Sequence, residues 1–220
     1  MPGTAAKEYA LSLGAPEDRL VVAPNAADAS VYGAAAVDRS GRESCTFLYA
    51  GRLDREKGLD TLLRAFASVP GELVLAGSGS EEQRLRALAG DRVSFSGAVG
   101  REEIVRLLAE ADVFVLPSRS EPWGMVLNEA AAAGLPLVAT DGVGAAYDLI
   151  DGNGVRVPVD DDRALAAALR RFAEDHGLRT GMGARSRDLA AGFTPDAWAR
   201  ALTTLVECVS RYRQRAGGSV

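Results

Sequence analysis

The 220 residues contain a single histidine, His176, two cysteines, Cys45 and Cys208, and two lysines, Lys7 and Lys57. One histidine is too few for a histidine-rich metal site or a His-based catalytic triad. The cysteines lie far apart with no CxxC or CxxH spacing, so they read as buried thiols of a reducing compartment, not as a disulfide framework or zinc site. No apolar run approaches the roughly 20 residues of a membrane span, and the start lacks the charged-then-apolar pattern of a secretion signal. There is no basic excess either: the net charge is -5 and the pI about 5.1. A protein dedicated to nucleic acid needs cations to neutralise phosphates, so that class is excluded. What remains is 47% hydrophobic and 25% charged, enough apolar material for a full core and too much for a disordered chain. These absences predict a soluble cytoplasmic α/β domain.

Short apolar runs alternate with longer amphipathic ones. Strands are expected at residues 45–50, 72–76, 92–95, 112–117, 136–139 and 154–157. Helices are expected between them at 58–69, 81–88, 101–110 and 126–133, then at 160–173 and, as a long terminal helix, at 195–215. Near-continuous apolar strands separated by helices indicate a parallel sheet covered on both faces, in a single Rossmann-like domain. Ahead of it, residues 4–13 suggest a helix, 20–23 a strand, and 33–44 a small-residue linker. The aspartates at 160–162 suit a helix N-terminus. His176, just before Gly177, reads as a surface residue at a helix C-terminus.

In open α/β sheets, ligands bind at loops that follow strands. The first such loop is Gly51-Arg52-Leu53-Asp54-Arg55-Glu56-Lys57-Gly58. Arg52 offers a planar fork and Lys57 a compact charge, a pair suited to a diphosphate, although a solvated loop gives the same pattern. Against 23 arginines, the retention of Lys57 gives this position weight. The second loop begins at Gly77 and runs Gly77-Ser78-Gly79-Ser80. It permits close backbone approach but lacks the third glycine of GxGxxG, and a plain turn with Ser80 as N-cap fits equally. The third, Gly97-Ala98-Val99-Gly100, could present backbone groups to a flat base or simply turn.

The fourth loop runs from Pro117 through SRSEPWGMVLNEA to Ala130, with seven residues between Glu121 and Glu129. Glu129 falls one turn inside an alanine-rich helix, where a buried acid is costly unless paired. A sugar diol could donate two O–H bonds to it; water or an arginine would serve as well. The first N–H groups of that helix, at Gly124, Met125 and Val126, form an anion site.

Taken in order, these loops resemble the donor-binding C-terminal domain of GT-B retaining glycosyltransferases of the large group 1 family. The resemblance runs from about residue 20 to residue 215. It rests on the glutamate pair in SEPWGMVLNEAAAAGLPLVAT and on the segments GRLDREKG, LAGSGSEE, FSGAVGREEI and VGAAYDLIDGNGVRVPVDD. It implies that Arg52 and Lys57 hold the donor diphosphate and stabilise the departing phosphate. It implies further that Glu121 lies near the sugar hydroxyls and that Glu129 accepts from the ribose. Gly124, Met125 and Val126 would surround sugar and phosphate with amides, and Val99 would meet the nucleobase. A nucleoside diphosphate sugar is then the substrate, with no further cofactor and no metal required.

The GT-B architecture has two Rossmann-like domains. The resemblance therefore divides the chain into an arm and linker, 1–43, similar to the end of a preceding domain, and a nucleotide-sugar-binding domain, 44–220. A fragment or a naturally split half is the expectation, with the N-terminal GT-B domain as its partner in cis or as a separate chain. Peripheral membrane contact would fall to that domain. A GT-B sugar-nucleotide epimerase and a non-catalytic nucleotide-sugar-binding module stand as alternatives.

Overall fold

The most apolar segments form the middle of one parallel sheet. The computed structural model describes residues 1–33 and 44–217, the last seven as backbone only. Its six strands are β1 (Thr46–Ala50), β2 (Glu72–Ala76), β3 (Val93–Gly97), β4 (Val113–Leu116), β5 (Leu137–Thr140) and β6 (Gly154–Val157). They lie in the order β3-β2-β1-β4-β5-β6, every neighbouring pair parallel. Every residue of β4 and β5 is buried, as are the last four of β1. The edge strand β3 alternates between half-buried and exposed. That gradient explains why the central strands read as unbroken apolar runs.

The helices are α1 (Thr4–Ser12), α2 (Ala29–Gly33), α3 (Leu59–Phe66), α4 (Glu82–Leu88), α5 (Arg101–Glu110), α6 (Met125–Ala132), α7 (Ala146–Leu149), α8 (Asp162–Glu174), α9 (His176–Ala190) and α10 (Pro195–Gly217). One group packs α3 against α4 and α8; the other packs α6 against α2, α7 and α9. Because β1 connects toward β2 and β4 toward β5, the strand order reverses direction between β1 and β4. This is the switch point at which loops diverge and leave a crevice.

Two sequence expectations are corrected, at residues 20–23 and at the aspartate run. Residues 20–23 form no strand; the segment is tied to the chain start, with the Met1 ammonium donating to the Val21 carbonyl at 2.8 Å and the Ala23 N–H to the Met1 carbonyl at 2.8 Å. His176 is exposed just past the C-cap of α8, as expected, and it also opens a further helix, α9, which the Asp175 carboxylate caps by accepting from the Leu178 N–H at 2.8 Å. The residues of α9 gave no amphipathic signal because the helix docks through small side chains. A Cβ on Gly183 would overlap the Gly134 carbonyl, and Ser186 Oγ donates to the Leu135 carbonyl at 2.6 Å. Of the three aspartates, only Asp161 caps α8, while Asp160, at φ 57, is drawn to Arg119 at 2.8 Å. Most of the expected linker, and the side chain of Tyr212, lie outside the described residues. Along α10, Trp198, Leu205, Val206 and Val209 are exposed.

The strand ends on the β3 side are laced together by main chain. Gly51 N–H donates to Ala76 at 2.9 Å, Leu53 N–H to Ser78 at 2.9 Å, and Gly77 N–H to Gly97 at 2.7 Å. Gly77 has φ 138, and a Cβ there would run into the Gly51 carbonyl. A side chain would be strained twice, by conformation and by collision with backbone that cannot rotate away. Gly77→Ala is expected to cost about 2–4 kcal/mol of stability, read as a lower urea midpoint at unchanged slope. An unchanged midpoint would show that the lacing yields easily.

Candidate functional site

The loops after β1 and β4, adjacent in the sheet, meet at the switch point. Arg119 N–H donates to the Glu56 carbonyl at 2.7 Å, and its guanidinium to the Arg55 carbonyl at 2.6 Å. Between the same loops Lys57 Nζ donates to Glu121 Oε2 at 2.5 Å, with the two side chains 12% and 19% exposed. At that burial the pair is held in place, unlike a fluctuating surface pair. The main chain of Glu121 is fixed from the other side: its N–H donates to the Gly142 carbonyl and its carbonyl accepts from Gly144 N–H, both at 2.9 Å. Lys57 and Glu121, 64 residues apart, are thus brought together.

Arg52 is placed differently. Its side chain is 68% exposed and reaches Asp54 at 2.6 Å and Glu56 at 2.7 Å within its own loop. Asp54 is shared: its other oxygen accepts from the Ser80 N–H at 2.9 Å and hydroxyl at 2.8 Å, which holds its carboxyl below the usual range. Ser80 therefore ties the second loop to the first instead of capping α4, whose cap residue is Glu81. Gly51 and Gly77 lie where those loops leave the sheet, and half-buried Val99 packs against the core beyond β3.

Gly124 is the cap residue of α6, and Met125 opens the helix with its side chain 40% exposed; Val126 is half-buried. The first N–H groups of a helix have no intrahelical partner. Buried Trp123 fixes the approach, donating from Nε1 to Asn128 Oδ1 at 2.8 Å, and Asn128 Nδ2 donates to the Asn25 carbonyl at 2.9 Å. Glu129 is half-buried one turn into α6. Burial raises its pKa, opposed by a hydrogen bond from Tyr32 and by the charge of Arg101.

Sequence reasoning missed Tyr32 and Arg119. Tyr32 lies on α2, is 7% exposed, and its hydroxyl donates to Glu129 Oε1 at 2.9 Å. Its signal was compositional, since no other aromatic occurs between Tyr9 and Phe47. Arg119 binds Asp60 and Asp160, both at 2.8 Å. It helps line an open depression of about 530 Å³ with Arg55, Asp60, Glu81, Arg84 and Asp160. Three arginines and three acids balance there, and ion pairs engage Arg84 and Arg119, so the depression holds no net charge for an anion. Among the described residues, no group of three His, Cys, Asp or Glu converges to hold a metal, and no helix is long and apolar enough to cross a membrane.

The Rossmann-like sheet, of order 3-2-1-4-5-6, places a lysine–glutamate pair and a helix N-terminus at its switch point, where open α/β sheets bind ligands. Residues 38–189 match the family of glycosyl transferases group 1, and the chain belongs to that family. The lipopolysaccharide core biosynthesis glycosyltransferase LpsE of Rhizobium meliloti is 37% identical over 149 residues, covering 64% of this chain and 43% of the relative. The phosphatidyl-myo-inositol mannosyltransferase of Mycolicibacterium smegmatis is 38% identical over 177 residues, covering 75% and 46%. The chain thus spans less than half the length of these two relatives. Among solved structures, sucrose-phosphate synthase from Thermosynechococcus elongatus superposes with a TM-score of 0.79 at 28% identity, covering 99% of this chain and 58% of that one. Anabaena Alr3699/HepE, solved in complex with UDP, has a TM-score of 0.79 at 22% identity, covering 96% and 62%. The fold is that of the GT-B glycosyltransferases.

Proposed function

We propose that this chain is the nucleotide-sugar-binding part of a retaining glycosyltransferase, with residues 44–220 as the binding domain and 1–43 as the arm that leads into it. The reaction transfers a sugar from a nucleoside diphosphate to an acceptor hydroxyl with its anomeric configuration kept. The observation that carries this reading is the meeting of Lys57 and Glu121 at the switch point. Glu129, whose helix α6 begins a few residues after Glu121, completes the set. Family membership and a structural neighbour solved with UDP support the choice of ligand.

In this reading the diphosphate lies between Lys57 and the N-terminus of α6, where a cation and free N–H groups offset its charge. Arg52 joins by exchanging Asp54 and Glu56 for phosphate. That exchange costs little, because exposed ion pairs are worth about 0–1 kcal/mol. Glu121 stands beside the sugar hydroxyls, Glu129 accepts from the ribose, and the main chain at Val99 meets the base. As the bond from the anomeric carbon to the diphosphate oxygen breaks, Arg52, Lys57 and the α6 amides take up the charge on the leaving group. Catalysis is then positioning and preorganised electrostatics.

The test is calorimetric titration with UDP, GDP, ADP and dTDP. At least one should bind, and Glu129→Ala should weaken it about 10- to 150-fold, the worth of a charge-assisted hydrogen bond. Affinity untouched by the substitution would make Glu129 an ordinary helix residue and remove the ribose from the reading.

A further inference from the structure

We infer that Tyr32, on the arm, is a positioning residue for Glu129: its hydroxyl holds the carboxylate in the one orientation from which it can accept both ribose hydroxyls. This rests on the function proposed above and adds a residue from outside the sheet domain. The hydroxyl donates to Glu129 Oε1 at 2.9 Å, across 97 residues of sequence, and the tyrosine is 7% exposed.

The physical need for such a partner lies in the glutamate side chain. Its terminal torsion is broad and roughly two-fold, so an unpartnered carboxylate swings. A diol needs two acceptor directions at once, and a carboxylate has about four lone-pair sites. One bond from Tyr32 takes a single site, fixes the carboxylate plane and leaves the others open. The phenol is a durable donor, because burial first, and Glu129 second, push its pKa up to about 12. The charged neighbour is Arg101, at the first turn of α5, just past the loop that carries Val99. Its charge acts on both Tyr32 and Glu129. Among the described residues, Tyr32 from α2 and Arg101 from α5 are thus the groups that oppose the effect of burial on Glu129. The arm itself is anchored close by, through the Asn25–Asn128 hydrogen bond and the Ala27 N–H to the Phe193 carbonyl at 3.1 Å. A boundary at residue 43 would therefore cut one group of the site away from the rest.

The experiment is a cycle of Tyr32→Phe, Glu129→Ala and the double variant, titrated calorimetrically with UDP, GDP and ADP over a pH series. Phenylalanine keeps the buried ring and removes only the hydroxyl, and thermal unfolding of each variant checks the fold. In the unmodified background, Tyr32→Phe should weaken binding about 3- to 10-fold, the range of one modest hydrogen bond. In the Glu129→Ala background it should do nothing further, since there is no carboxylate left to hold. The pH series adds a second readout. Burial raises the pKa of Glu129 and the Tyr32 bond lowers it. Losing that bond raises it further, so the ionised acceptor disappears sooner on acidification and the acid limb of binding moves to higher pH. An equal loss in both backgrounds with an unmoved acid limb would reduce Tyr32 to a packing residue and overturn the inference alone. If none of the three nucleotides binds the unmodified chain, the functional reading falls and takes this inference with it; if Glu129→Ala binds as well as the original, the ribose contact falls and this inference falls with it.

Discussion

These 220 residues, produced alone, are expected to bind a nucleoside diphosphate and to leave its sugar untransferred. The main contacts proposed for binding, Lys57, the N-terminus of α6 and Glu129, are all present in this chain, as is Tyr32 beside Glu129. Binding should be weak, in the micromolar to millimolar range (about 4–8 kcal/mol), because a diphosphate on one open edge stays partly hydrated. Transfer needs more: an acceptor hydroxyl held near the anomeric carbon. Holding two reactants together replaces a bimolecular encounter with a nearly unimolecular step, worth roughly 7–11 kcal/mol in favourable cases. A second Rossmann-like domain across the cleft would supply that hold and exclude water from the charge that develops. Adding the N-terminal part of a two-domain form, in cis or as a separate chain, is therefore expected to raise turnover by at least about a thousandfold. The assay is donor consumption with acceptor extracts, run on the short and the long form side by side. Substantial product from the 220 residues alone would refute the two-part reading. The exposed stripe on α10, with Val206 at 64% and Val209 at 46%, is the surface to watch when the longer form is compared.

The second large effect is expected at Lys57. Replacing it by alanine removes the cation nearest the proposed diphosphate and leaves Glu121, only 19% exposed, without its partner. The site would then present a carboxylate where a phosphate must come. Loss of one charge-assisted contact accounts for about 1.5–3 kcal/mol, and the uncovered carboxylate adds repulsion. UDP affinity should fall on the order of a hundredfold. Uridine, which carries no phosphate, should bind the variant and the original alike. Lys57→Arg should recover affinity only in part, since a planar fork does not fit a pocket set for a compact ammonium. Equal weakening of UDP and uridine would mean that the Lys57–Glu121 pair merely supports the loop. Arg52 gives a contrast: it is 68% exposed and already shared between Asp54 and Glu56, so Arg52→Ala should matter less.

The fold was legible because its signal is local. Residues such as Phe47, Leu48, Phe114, Val115, Leu137 and Val138 are fully buried or nearly so, and a strand covered on both faces must be apolar at every position. The glycines and charges that follow those runs marked the strand ends, and the glutamate motif put Glu121 before α6 and Glu129 within it. Helix α9 escaped because Gly183 and Ser186 dock it by close approach and hydrogen bonding, which leave no apolar stripe to read. The partners were not legible either. That Lys57 meets Glu121 depends on β1 lying beside β4, and that Arg119 is shared by Asp60 and Asp160 depends on the strand order that gathers the loops after β1, β4 and β6. Tyr32 reaches Glu129 only because the arm folds back onto α6. Sequence patterning alone determined which residues are buried and where the chain turns, since burial is a property of each segment's own chemistry. Which side chains face one another across the site was decided by strand order and helix docking, because those contacts join residues tens of positions apart and exist only once the sheet has closed.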